Sequence, residues 1–213
     1  MINLSINKDI LSLAIGNFFR IALVIVYSRV MTFFLEYQEL SKFYLAFSVY
    51  TFFSFIIIGS LGNYINRKTI EWVHQDSLKS ALLQLFWSFL LPLTVIASIV
   101  VFIYSYIMYQ SINYSFILCA LVSSLLLFKT SNETIYPIFN ILNKNRKYLF
   151  YLILFNLLNL LLSTIFVTVF EPKFQYWMTG LIFSNLIVGF FAWRSLSREL
   201  KVSKKMNVDF SEL

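Results

Sequence analysis

The stretch Ile10–Phe34, ILSLAIGNFFRIALVIVYSRVMTFF, decides how the rest of the chain is read. It is apolar for about 25 residues, long enough to cross a bilayer as a helix. Arg20 sits near its middle, Asn17 a turn earlier and Arg29 towards its far end. A mid-membrane arginine costs about 3 kcal/mol on insertion scales, so it normally faces a protein interior or a water-filled cavity. The run is too long for a signal-peptide core and no small-residue cleavage site follows it. It is therefore expected to stay as the first helix.

Composition extends that reading to the whole chain. Apolar residues make up 59% and charged residues 13%, with a mean hydropathy of +0.76. Soluble domains carry roughly twice that charge. The 213 residues hold about six spanning helices and leave no room for a separate soluble domain. The expected fold class is all-α: a polytopic membrane helix bundle of six transmembrane helices in one integral membrane domain, 1–213. The spans fall at about 10–34, 43–63, 80–108, 114–140, 148–170 and 175–193, with 194–213 as a cytoplasmic tail or linker. Short links make successive helices antiparallel.

The net charge of +7 suggests nucleic acid until its placement is considered. Lys8, then Arg67, Lys68 and Lys79, then Lys144, Arg146 and Lys147, then Arg194, Arg198, Lys201, Lys204 and Lys205 fall on one side of the alternating topology. Only Lys42 and Lys173 fall on the other. Twelve cations against two is a positive-inside bias, so both termini are expected in the cytoplasm and no nucleic-acid partner is expected. The longest link, NYINRKTIEWVHQDSLKS, interleaves Ile65, Ile70, Trp72 and Val73 with charges. It reads either as a short amphipathic helix on the membrane surface or as an irregular polar loop. His74 is the only histidine, so no metal site is expected. Cys119 is also alone and reads as a small buried hydrophobe. Trp87, Trp177 and Trp193 lie towards span ends, as in an aromatic belt.

The polar residues inside spans are the candidate functional ones. Arg20 and Arg29 are nine residues apart, two and a half turns, so they leave the helix on opposite sides and cannot form one clamp. Arg29 is near enough to an interface to snorkel. Arg20 has no such exit. It lines a cavity, or it partners polar groups of a neighbouring helix. Lys129 and Glu133 share a helix face at i, i+4, as a self-neutralising pair or as a second charged lining of the same cavity. Asn156, Asn159 and Asn185 read as interhelical hydrogen-bonding residues, and Gly180 and Gly189 as points of close helix approach. Pro92 and Pro137 permit kinks, either packed and static or bending points for a transport cycle. No phosphate-binding loop, dinucleotide fingerprint, zinc-protease motif or nucleophile elbow is present. No enzyme activity and no cofactor are expected.

Two segments then suggest a family. The run FLEYQELSKFYLAFSVYTFFSF, continued by IIIGSLGNYINRKTIEW, follows a cation-bearing first span. This resembles the N-terminal end of bacterial polysaccharide (O-antigen type) flippases of the multidrug, oligosaccharidyl-lipid and polysaccharide exporter superfamily. Gln38-Glu39 and Phe43 fall at the acidic and aromatic positions of that family's outer turn. Leu61-Gly62 and Arg67 fall at the end of its second helix. Glu36-Tyr37 stand where the family has Gly-Pro, and Ser41 where it has Gly. The later run FNILNKNRKYLFYLILFNLLN resembles its basic turn.

Such transporters have two helical lobes around a central cavity, and this chain resembles the N-terminal lobe alone. The resemblance implies a carrier that flips undecaprenyl-linked oligosaccharide, a surface polysaccharide or lipopolysaccharide repeat unit, across the bacterial cytoplasmic membrane. Arg20, Arg29 and Lys129 would be the substrate-binding cavity cations, and Asn17 and Glu133 polar cavity residues. The partners implied are the lipid-linked oligosaccharide, membrane lipids, and a second lobe or further copies of the chain. The residues also leave open another small transporter or channel-like homo-oligomer, and a non-transporting membrane partner.

Overall fold

The computed structural model describes residues 4–200, with the side chains of 4–12 and 57–60 set aside. Among these residues the chain is a bundle of helices without strands: α1 Leu4–Phe34, α2 Tyr37–His74, α3 Leu78–Leu85, α4 Leu91–Tyr109, α5 Ile112–Ile141, α6 Asn145–Val169 and α7 Phe174–Glu199. A single π-helical turn, Phe86–Leu90, joins α3 to α4, and the two act as one span, Leu78–Tyr109. Five helices are long and apolar enough to cross a membrane, and the bent α2 makes a sixth. This is the all-α polytopic bundle expected from the sequence. Residues 201–213 of the expected tail lie outside the described residues.

Local sequence explains the helix ends. At the end of α2, Asp76 takes a left-handed conformation (φ 54°). The Ser77 amide then donates to the Trp72 carbonyl and the Asp76 amide to Val73. Asn143 (φ 59°) repeats this after α5, with Lys144 donating to Phe139 and Asn143 to Asn140. Both are Schellman turns, which satisfy the last carbonyls of a helix. Asp and Asn tolerate the left-handed region better than most residues. Gln110 (φ 50°) ends α4 with a single bond to Tyr106.

Breaks inside the spans have equally local causes. Pro92 lacks an amide hydrogen and its ring crowds the carbonyl four residues back, Ser88. The helix widens to a π turn just before it, a recognised site of kinking. The two parts of α2, Tyr37–Ile56 and Leu61–His74, meet at 46°, where the sequence runs Gly59-Ser60, a pair that weakens a helix. The second part covers the long link, which is helical. Its Ile65 and Trp72 are buried while Ile70 is exposed.

Helix α5 is the centre of the bundle, packed by α2, α4, α6 and α7. The closest pair is α6 and α7. There a Cβ on Gly180 would lie 2.4 Å from the Ser163 backbone. Ser163 Oγ donates to the Trp177 carbonyl across that seam at 3.0 Å. Small residues permitting backbone contact are the usual basis of helix pairing in lipid. Trp177, read from the sequence as an interfacial aromatic, is instead buried in the core, and its indole N–H donates to Tyr27 Oη of α1. Span-end position alone did not distinguish a residue facing lipid from one facing α1.

Helix α1 is the exception to this packing. It rests on α6, whereas its sequence neighbour α2 rests on α5. Only 6% of its apolar window is buried, against 50% for α7. Gly16 meets the Leu149 side chain on α6, and Tyr27 meets Trp177 on α7. These contacts attach it at two depths.

Candidate functional site

Arg20 lies one residue from the midpoint of α1. Its side chain is exposed, as are those of Asn17 and Arg29. At 100° per residue, Arg20 sits on the flank of the stripe formed by Gly16, Leu23 and Tyr27, while Arg29 faces away from it. Among the described residues neither arginine side chain makes a hydrogen bond or an ion pair. Neither docks on a polar group of α6.

Lys129 and Glu133 have a defined setting. They lie just past the middle of α5, facing α2. Lys129 Nζ is 4.6 Å from the ring centres of both Phe47 and Tyr50 and 3.7 Å from Glu133 Oε1. The Tyr50 hydroxyl donates to Glu133 Oε2 at 3.4 Å and accepts from Ser54 Oγ at 3.2 Å. The ammonium is mostly enclosed, with 16% of its side chain exposed, and Glu133 opens outward at 39%. A cation over aromatic faces is stabilised by the ring quadrupoles, more so when desolvated. Phe47 and Tyr50 are one turn apart, so both rings point to the same side of α2. The cluster encloses the Lys129 amine between two rings and leaves its carboxylate partner exposed at one edge.

The structure does not join the two halves of the expected site. No hydrogen bond, ion pair or shared partner among the described residues links Arg20 or Arg29 to the Lys129 cluster. Among the described residues no three His, Cys, Asp or Glu side chains converge as a metal site would require.

On the other side of α5 lies a second polar feature, of which the sequence showed Asn185 and Gly189 as interhelical residues but not their partner Asn132. Asn132 donates to the Asn185 carbonyl at 2.8 Å and to Asn185 Oδ1 at 3.2 Å, joining α5 to α7. Gly189 makes room for it: a Cβ there would lie 2.3 Å from Asn132 Oδ1. This pair borders an apolar pocket of about 370 Å³ that opens at the π turn, with Trp87 and Phe190 on its wall. The i, i+4 spacing of Asn185 and Gly189 was the available signal. Asn159 is also buried and accepts from Ser163 Oγ, and Asn156 donates to the Leu152 carbonyl, both bonds lying within α6.

The residues that carry the family resemblance have structural roles here. Glu39 Oε2 accepts the Phe174 amide at 2.9 Å, so the first turn of α2 caps the N-terminus of α7. Glu39 also pairs with Lys42 at 2.6 Å. Phe43 is buried and stacks on Phe47. No protein-family model, curated protein or solved structure matches the chain.

Proposed function

We propose that the chain is one lobe of a carrier that moves an undecaprenyl-linked oligosaccharide across the bacterial cytoplasmic membrane. The observation that carries the reading is Arg20: an exposed arginine at the middle of the least buried span, with no side-chain partner among the described residues. In hydrocarbon that cation is costly unless an anion, water or another protein surface meets it. A pyrophosphate headgroup is such an anion, and arginine binds phosphate with two parallel hydrogen bonds. The enclosed Lys129, just past the middle of α5, would supply a second charge. Rocking of this lobe against another would carry the headgroup from one side to the other. The role proposed is transport, with no catalytic step.

Export of the oligosaccharide in cells carrying Arg20→Ala or Arg20→Lys tests this. Alanine should abolish export and lysine should retain part of it. Full export by the alanine variant would sink the proposal. The same exposed face of α1 also suits a homo-oligomeric small transporter. Cysteines placed on the exposed face of α1 distinguish the two: disulfide cross-linking between copies of this chain favours the oligomer.

A further inference from the structure

We propose a binding site for the phosphate of an anionic phospholipid in the cleft between the first turns of α6 and the last turns of α7. The cleft has a volume of about 650 Å³, within the range of small-ligand sites. Its rim carries Lys147, Arg194 and Arg198, and Lys144 and Arg146 border the adjoining hollow. Among the described residues Glu199 is the one carboxylate bordering either hollow, and its position sorts the cations into two groups. It binds Lys144 and Lys147 at once, and Lys147 also reaches Ser195 Oγ at 3.3 Å. Both lysines are thereby held in place, and the carboxylate offsets one of their two charges.

Arg194 and Arg198 remain. They are one turn apart on α7 and both are exposed. Among the described residues neither has a carboxylate partner. Two guanidinium groups at i, i+4 lie on one face of the helix and match phosphate oxygens through paired donors. Below them the wall turns apolar, with Phe150, Leu154 and Phe191. Phe150 and Phe191 are each at least half exposed on the span surface.

A cleft that is cationic at its rim and apolar below has the cross-section of a phospholipid: phosphate above, acyl chain along the aromatic wall. Soluble phosphate would use the rim but not the wall. Basic clefts between spans are a general means of holding anionic lipid.

Native mass spectrometry of the purified chain, titrated with phosphatidylglycerol or phosphatidylcholine, tests the site. The wild type should bind phosphatidylglycerol in preference. Arg194→Gln with Arg198→Gln should weaken that binding about 30-fold, from about fivefold per charge near a membrane surface. The lysine pair, Arg194→Lys with Arg198→Lys, should lose less. A control removing two cations elsewhere, Arg67→Gln with Lys68→Gln, should stay within about twofold. An equal fall in both glutamine pairs would mean diffuse surface charge and overturn the site. So would a wild type without preference, or inorganic phosphate that binds as tightly as the lipid. Both arginines are exposed, so the glutamine pair should fold, and an unchanged melting temperature checks that.

Discussion

Glu39 shows how much a single side chain can hold. It joins α2 to the amide of Phe174 and pairs with Lys42. Glu39→Gln keeps the shape and removes the charge, and should cost about 1–2 kcal/mol, read as a lower unfolding midpoint in mild detergent. Gly180 is the steric counterpart. Gly180→Ala places a methyl group against the α6 backbone and should destabilise by about 1–3 kcal/mol. A matching Ala substitution at Gly62, away from that seam, is the comparison.

At the scale of helices, three turns rest on non-glycine residues in the left-handed region. That conformation costs an ordinary residue about 1–2 kcal/mol, while glycine adds about 0.4–1 kcal/mol of unfolded-state entropy to be lost. Gln110→Gly should come out slightly stabilising, by about 0.5 kcal/mol, whereas Asn143→Val should be clearly destabilising, because a β-branched residue fits that region worst. Thermal unfolding of the two variants checks both signs. The helices themselves were legible in the sequence. Apolar length set each span, and Pro92 marked one break point, whereas the bend of α2 at Gly59-Ser60 was not read and α5 runs unbroken past Pro137. What was not legible is which side of each span faces protein. In a soluble protein, polarity separates inside from outside. In lipid both sides are apolar, so Trp177 in the core and Trp87 on the surface look alike. The Phe47–Tyr50 cage was hidden for the same reason, since its rings are indistinguishable in sequence from those facing lipid.

For the whole molecule, the informative contrast is between function and stability at Arg20. If the cation serves a substrate rather than the fold, Arg20→Leu should leave the unfolding midpoint unchanged or raised, because it removes a charge from an exposed mid-span position. It should abolish export all the same. A variant that loses both would place Arg20 among the packing residues. Arg20 stood out in the sequence because a charge in an apolar run is costly in lipid. Its relation to Lys129 did not, since helix-to-helix adjacency is not written in spacing along either helix.

The attachment of α1 also has a consequence for synthesis. α1 leaves the ribosome before the other described helices, yet its main contact is α6, which begins about 110 residues after α1 ends. At 5–20 residues per second, α1 waits roughly 6–22 seconds before its docking surface exists. During that time a helix with a central arginine must stay at the insertion machinery or in lipid without a partner. Chains halted before α6 should therefore be degraded faster than chains halted after it, and pulse-chase of the two truncations measures the difference.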